Sequence, residues 1–193
     1  LLTGSNASGK STFLKTVAIN ALLSQTCGMA LAKEYRSCFF RIYSSMALKD
    51  NIQGSESYFI VEIKSLKRIL DAVNQDKTPV LCFVDEVLRG TNTVERIAAS
   101  SRILQSFANS GVMCFAATHD IELTTILKDC YSNYHFQEEV TEDEVKFDYK
   151  LYAGPATTRN AIKLLNVIGY DKNIIKGAEQ RAMHFLTDGN WKS

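Results

Sequence analysis

Two short segments of this chain place glycine, lysine, hydroxyl and carboxylate groups at spacings that suit the chemistry of phosphate groups. The first, residues 4–11, has the sequence GSNASGKS and fits the pattern G-x-x-x-x-G-K-[ST] without a mismatch. Glycines let the backbone curl so that successive N–H groups point at phosphate oxygens, and a following helix adds its positive N-terminal end. Lys10 can reach the β- and γ-phosphates of a nucleotide, and the Ser11 hydroxyl can coordinate Mg²⁺. The segment therefore predicts a phosphate-binding loop for ATP with Mg²⁺.

The second segment, VLCFVDE at residues 80–86, is an apolar run that ends in two carboxylates. A short continuous apolar run is typical of a strand buried on both faces of a parallel sheet. Asp85 at its end can hold Mg²⁺ through water, and Glu86 can polarise an attacking water as a general base. A helix cap or a solvated acidic pair would explain the two carboxylates alone equally well, but the phosphate-binding loop upstream favours the catalytic interpretation.

His119 and Ser57 are two further candidates. His119 follows the apolar run at residues 112–117, at the strand end where α/β sheets build their sites, and it could contact the γ-phosphate or position the water. The alternative is a polar loop histidine. Ser57 begins a helical segment and could cap it while the first N–H groups face a phosphate, although these residues also fit an ordinary helix start.

Strands and helices alternate along the chain, which predicts an α/β fold with a mainly parallel sheet and helices on both faces. The expected strands are residues 1–3, 39–46, 80–84 and 112–117, and the expected helices are residues 10–27, 57–75, 94–109 and 121–129. The second helix has one apolar stripe, formed by Phe59, Ile63, Leu66, Ile69, Leu70 and Val73. An antiparallel hairpin (133–140 with 145–152) and two closing helices (157–168 and 172–186) complete the prediction.

Composition bounds the class of protein. The 193 residues fit a single domain, and a net charge of +1 with no basic stripe gives no electrostatic sign of nucleic-acid binding by this chain. The five cysteines form no metal or disulfide pattern, so we expect them to be structural thiols in a reducing compartment, the cytoplasm. Cys82 and Cys114 lie in apolar runs, where a thiol is usually a small hydrophobe. No apolar run approaches the about 20 residues of a membrane span. The chain opens directly on the phosphate-binding loop, so we expect a piece of a larger protein.

In order along nearly the whole chain, five motifs resemble those of the ATPase domain of the MutS family, the mismatch-repair and related DNA-handling ATPases of the ABC-type class. GSNASGKST (4–12) resembles GPNxGGKST, ESYFIVEI (56–63) resembles STFMxEM, and DEVLRGTNT (85–93) is similar to DEIGRGTST. ATHD (117–120) resembles ATHY/F, and residues 147–180 resemble the block that begins YKLxxG in the family. The resemblance to this family is far more specific than a phosphate-binding loop alone would make it. It includes RGT-x-T after the acidic pair, ATH and YKL-x-x-G.

The resemblance implies a composite site in a homodimer whose two domains pack head to tail. Asp85 and Glu86 would act within one domain, Ser57 would reach the γ-phosphate bound by the partner, and His119 would be the switch histidine. The residues implied to contact the nucleotide are Gly4, Ser5, Asn6, Ala7, Ser8, Gly9, Lys10, Ser11 and Thr12. Residues 157–186 would add a helical dimerisation segment. ATP would gate a DNA clamp, with DNA bound by domains missing from this chain and no membrane contact from the chain itself.

Several positions depart from the family pattern and indicate a divergent MutS-like subgroup. Ala7 and Ser8 replace the usual residues in the loop centre, and Leu88 replaces a glycine. Glu95 and Arg96 stand where an acidic residue and a glycine usually follow, and residues 157–160 lack the expected serine and glycine.

Two alternatives remain open. One is a nucleotide-gated dimerisation module with little turnover, against which the presence of Glu86 argues. The other is a different ABC-type ATPase, such as a transporter or chromosome-structure subunit, but those usually carry an LSGGQ-like signature that this sequence lacks.

Overall fold

The computed structural model of the protein describes residues 1–46, 58–73, 77–141, 144–156 and 160–191. The strands are β1 (Leu2–Thr3), β2 (Arg41–Ser45), β3 (Val80–Asp85), β4 (Met113–Ala117), β5 (Tyr134–His135), β6 (Glu138–Val140), β7 (Val145–Phe147) and β8 (Tyr152–Ala153). The helices are α1 (Lys10–Cys27), α2 (Tyr58–Val73), α3 (Thr93–Asn109), α4 (Glu122–Ile126), α5 (Ala161–Ile168) and α6 (Lys172–Asp188).

Six strands form one sheet in the order β2-β3-β4-β1-β5-β8, and all neighbours are parallel except β5 and β8. Asp85 at the end of β3 lies opposite Ala117 at the end of β4, which in turn lies opposite Leu2 of β1. Because parallel strands end at the same edge, the segments that follow β1, β3 and β4 meet there. The predicted α/β fold with a mainly parallel sheet is confirmed.

Helices cover both faces of this sheet. On one face, Leu81 and Phe83 of β3 pack with Leu14 and Ala21 of α1. On the other face, Val80, Cys82 and Val84 pack with residues of α2, α3 and α4, among them Leu66, Ile69, Leu104, Phe107 and Leu123. Alternate side chains of β3 therefore enter two different cores, which is why the strand is apolar throughout.

The predicted hairpin consists of two separate ladders. β5 pairs with β8 at the edge of the main sheet, whereas β6 pairs with β7 as a two-stranded sheet of its own. Between the ladders, residues 136–137 on one strand face residues 148–151 on the other, so the second strand carries extra unpaired residues. Tyr149 within this bulge has a positive φ of 53°. The bulge bends the chain back toward the loop that follows β1.

The buried face of α2 differs from the predicted apolar stripe. Leu66 and Ile69 are buried as expected, but Ile63 is exposed, and the neighbouring Glu62 is buried in its place. The reason is a hydrogen bond from Leu88 N–H to the Glu62 carboxylate, which gives a charged side chain a role inside the fold.

The two closing helices are present, but they bury little. α5 and α6 contain no fully buried residue, and several large apolar side chains on or beside them are exposed: Ile168, Tyr170, Ile174, Met183, Leu186 and Trp191. Residues 157–159, where the first of these helices was expected to begin, lie outside the described part of the chain. α4 is shorter than the predicted 121–129 segment.

Candidate nucleotide-binding site

The loop between β1 and α1 requires glycine at two positions. Gly4 has a φ of 141°, and a Cβ added there would lie only 2.7 Å from the carbonyl oxygen of Phe136. Gly9 has a φ of 110° and is the N-cap residue of α1. Residues with a side chain rarely adopt such φ angles, so the shape of the loop requires glycine at both positions. The curled loop leads directly into an 18-residue helix, whose first-turn N–H groups have no intrahelical acceptor.

Lys10 is the charged group at the centre of this loop. Only 5% of its surface is exposed, and its Nζ donates hydrogen bonds to the carbonyl oxygens of Gly4 at 2.8 Å and Ser5 at 2.7 Å. Burial lowers the pKa of the Lys10 ammonium, while the carboxylates of Glu86 and Asp85 act in the opposite direction. Glu86 lines the same cavity as the loop, and Asp85 precedes it at the end of β3.

A cavity of about 560 Å³ lies beside the loop and has the size of a small-molecule site. Its lining is residues 6–13 together with Thr16, Glu86, Phe136 and Tyr149. The Ser8 hydroxyl is buried nearby without a hydrogen-bond partner among the described residues. An N-terminal helix end, a buried ammonium and an orphaned hydroxyl form a donor set that suits phosphate oxygens.

Glu86 and His119 are in direct contact. Glu86 has a φ of 59°, and its N–H donates to Ala117 O at 3.0 Å, which connects the ends of β3 and β4. His119 Nε2 lies 2.8 Å from Glu86 Oε1, and because a carboxylate oxygen accepts, Nε2 carries the hydrogen. The other oxygen, Oε2, is 2.9 Å from Arg89 Nη1. Both oxygens of the Glu86 carboxylate are therefore engaged.

The structure thus brings together the phosphate-binding loop, Asp85, Glu86 and His119. Ser57 lies outside the described residues, so its predicted role stays a prediction. Within the described ranges, no three His, Cys, Asp or Glu side chains converge as ligands of one ion. Mg²⁺ is commonly held by one or two carboxylates together with substrate phosphates, so the expected pair of Ser11 and Asp85 does not require such a cluster.

Leu88, which replaces a glycine of the family pattern, has a backbone conformation that favours glycine. Its φ is 55°, a left-handed conformation that costs a residue other than glycine roughly 1–2 kcal/mol. The side chain is buried, and the N–H is held by Glu62 of α2. Burial raises the pKa of the Glu62 carboxyl group, although backbone N–H groups of Leu88 and Arg89 favour its ionised form. Glu62 therefore supports a strained turn two residues after Glu86.

Sequence reasoning missed Tyr149 as a site residue, since it appeared only as part of the YKL motif. Its ring lies over the loop, with Cδ1 at 3.5 Å from the position that a Cβ on Gly9 would occupy. About 65% of its surface is exposed, and it lines the cavity opposite the first turn of α1. An exposed aromatic face beside a phosphate-binding loop is a surface on which a base can stack.

The fold and the loop together define a P-loop NTPase domain. The family model of MutS domain V matches residues 1–186, and the chain belongs to this family. It is 29% identical over 192 residues to "DNA mismatch repair protein MutS 2" of Haloarcula marismortui, covering 97% of this chain and 20% of the relative. Identity with "DNA mismatch repair protein MutS" is 32% over 184 residues for Natronomonas pharaonis (93% of this chain, 21% of the relative) and 28% over 179 residues for Thermus thermophilus (92% and 22%).

The chain therefore spans about a fifth of the length of these relatives. None of the helices in the described part of the chain combines the length and the apolar character needed to cross a lipid bilayer.

Proposed function

We propose that this domain binds ATP with Mg²⁺ and hydrolyses it. The observation that carries the proposal is the position of Glu86, which lines the same cavity as the phosphate-binding loop and Lys10. A carboxylate that faces the place of the terminal phosphate can orient a water for attack. The proposed reaction is transfer of the γ-phosphoryl group to that water.

Loop residues 4–12 would hold the phosphates through backbone N–H groups and the hydroxyls of Ser8 and Ser11. Lys10 would exchange the carbonyl oxygens of Gly4 and Ser5 for phosphate oxygens. Ser11 and, through water, Asp85 would hold Mg²⁺, which when bound neutralises charge on the phosphates. Tyr149 would offer its exposed ring to the adenine base.

Glu86 is held by His119 and Arg89. For Glu86 to accept a hydrogen bond from water, one of these contacts must be released or shared. His119 would then orient the Glu86 carboxylate, the general base, and sense the γ-phosphate. Arg89 is the more accessible contact, because 69% of its side-chain surface is exposed.

Two copies of the domain are proposed to act as a head-to-tail homodimer, gated by ATP. The exposed apolar side chains of α5 and α6 support a contact there, since such surfaces mark interaction sites. The parent protein is proposed to bind DNA through other domains and to act in mismatch repair, as the names of its relatives state for those proteins. The cytoplasm fits this role, because the described cysteines are free thiols.

The test compares phosphate release by the full-length wild-type protein with that of Glu86→Gln. We expect ATP binding to change little and the turnover number to fall roughly 10²–10⁴-fold, the usual contribution of a general base. Glu34→Gln is the control, since Glu34 is an exposed carboxylate paired with Arg36. Equal turnover by wild type and Glu86→Gln would refute hydrolysis at this site. If light scattering shows that ATP induces dimerisation while no phosphate is released, the result would instead support a nucleotide-gated dimerisation module.

A further inference from the structure

An ion pair connects the first turn of α3 to the loop that carries His119. Arg96 Nε donates to Asp120 Oδ2 at 2.8 Å, and Arg96 Nη2 donates to Asp120 Oδ1 at 2.6 Å. Only 23% and 10% of the two side chains are exposed. A two-pronged guanidinium–carboxylate contact is geometrically specific as well as strong, so it restricts where residue 120 can lie.

Each end of this ion pair is anchored in the fold. Arg96 belongs to the first turn of α3, whose N-cap Asn92 accepts a hydrogen bond from Glu95 N–H at 3.0 Å. On the other side, Asp120 N–H donates to Thr118 Oγ1 at 3.0 Å, and Thr118 N–H donates to Leu2 O of β1 at 2.9 Å. His119 is thus enclosed between Thr118, fixed to the sheet, and Asp120, fixed to α3.

Both partners depart from the family pattern. Arg96 stands where the family motif has glycine, and Asp120 stands where ATHY/F has an aromatic residue. Neither a glycine nor a tyrosine or phenylalanine could form this ion pair. Because the two side chains are complementary in charge and in contact with each other, they form a single unit in this chain.

The charges around His119 indicate what this unit does. The Asp120 carboxylate is adjacent to His119 in the chain, and Glu86 already binds the histidine ring. The hydrogen bond to Asp120 raises the pKa of the Arg96 guanidinium, burial lowers it, and the charges of Glu122 and Glu86 raise it further. Arg96 and Glu86 also line one small cavity together with His119 and Asp120. Arg96 engages both carboxylate oxygens of Asp120, and the His119 ring contacts Glu86.

We propose that the ion pair between Arg96 and Asp120 is a positioning device that holds His119 against Glu86. Arg96 is not among the described residues that line the cavity beside the phosphate-binding loop, whereas Asp120 and His119 line a second cavity together with Gly4, Ser5 and Asn6 of that loop. Arg96 therefore acts through its contact with Asp120, the neighbour of His119. The effect on turnover rests on the proposed function, whereas the position of the histidine ring does not.

The experiment uses Arg96→Met, which keeps much of the apolar stem, and Asp120→Asn, which keeps the shape and removes the charge. The control is Lys67→Met, which breaks an exposed ion pair with Asp71 on α2. The first readout is the ring ¹⁵N resonances of the nucleotide-free protein, to which this chain contributes three histidines. The His119 signal is assigned by its loss in His119→Ala. We expect it to shift away from the hydrogen-bonded Nε2 position in Arg96→Met and Asp120→Asn, and to stay unchanged in Lys67→Met.

The second readout is the kinetics of ATP turnover. Misplacing a catalytic group by a fraction of an ångström costs on the order of tenfold in rate, so the turnover number should fall about tenfold in Arg96→Met with little change in KM. In a His119→Ala background, Arg96→Met should cause no further loss of turnover, although its effect on Tm should be the same in both backgrounds. The paired change Arg96→Gly with Asp120→Tyr, which restores the family residues, should lose less than the product of its two single changes.

An unchanged His119 resonance in both Arg96→Met and Asp120→Asn would overturn the inference, whatever the turnover. An equal fractional loss of turnover with and without His119 would also overturn it, because the ion pair would then act elsewhere. If wild type has no turnover, the proposed function fails, and the resonance of His119 alone decides whether the ion pair positions the ring.

Discussion

Glu62 provides a test of how the turn beyond the acidic pair is held in place. About 2% of its surface is exposed, and one carboxylate oxygen accepts the N–H of Leu88 while the other has no partner among the described residues. Glu62→Ala removes the acceptor, and Glu62→Gln keeps an acceptor oxygen but removes the charge. The two variants therefore separate the hydrogen bond from the ionisation.

The expected cost of Glu62→Ala follows from the group that it leaves behind. A buried N–H without an acceptor costs about 1–3 kcal/mol, and here the group belongs to Leu88 in a strained conformation. We expect the free energy of unfolding to fall by about 2 kcal/mol, which at roughly 2–4 °C per kcal/mol lowers Tm by about 4–8 °C. Glu62→Gln should avoid most of this loss.

The pH dependence has a definite sign. Because the pKa of Glu62 is raised in the folded protein, the folded state binds this proton more tightly than the unfolded state. The stabilisation is fully present below the unfolded pKa of about 4.3 and is lost as the pH rises through the higher folded value. Glu62→Gln cannot titrate, so its stability relative to wild type should increase as the pH rises above about 4.

Urea unfolding followed by circular dichroism at several pH values measures these differences. Glu34→Gln serves as the exposed control and should follow the wild-type curve. Parallel curves for wild type and Glu62→Gln would refute the buried titration, and an unaltered stability of Glu62→Ala would refute the role of the hydrogen bond.

Two further predictions concern the nucleotide. Tyr149→Ala should weaken ATP binding about tenfold, the lower end of the 1–3 kcal/mol of a base-stacking contact, whereas Tyr149→Phe should bind like wild type. Calorimetric titration with tripolyphosphate, which has no base, should show no loss in Tyr149→Ala, and an equal loss for both ligands would contradict stacking. Lys10→Met should weaken binding of both ligands by about tenfold or more, since charge-assisted hydrogen bonds contribute about 1.5–3 kcal/mol. If Lys10→Met weakened the binding of ATP but not that of tripolyphosphate, Lys10 would not bind phosphate.

Short sequence patterns were sufficient to predict the phosphate-binding loop, the helix that follows it and the two buried strands β3 and β4. The loop at residues 4–11 and the helix after it follow from glycine positions and apolar spacing, and α1 has the predicted bounds. The two apolar runs became β3 and β4 because strands covered on both faces need no polar positions. Their adjacent ends brought Asp85, Glu86 and His119 to the edge where the sequence placed them.

The features that were missed depend on contacts between distant residues. Glu62 was assigned no role because a carboxylate on an apolar helix usually faces water, and its acceptor role requires knowledge of Leu88. The two-part hairpin, with Tyr149 in its bulge, depends on a register that the alternating pattern does not encode. The contact between Arg96 and Asp120 joins residues 24 positions apart in the chain, and no local signal connects them.

The hydrogen bonds from Lys10 to its own loop have a consequence for the cycle of such a domain. The carbonyl oxygens of Gly4 and Ser5 accept hydrogen bonds from the Lys10 ammonium, so this buried cation is satisfied within its own loop. A triphosphate bound as proposed would displace those acceptors, and they would be available to Lys10 again when the ligand left. We expect this exchange of acceptors to lower the net affinity for a triphosphate, because each new contact of Lys10 would replace an existing hydrogen bond.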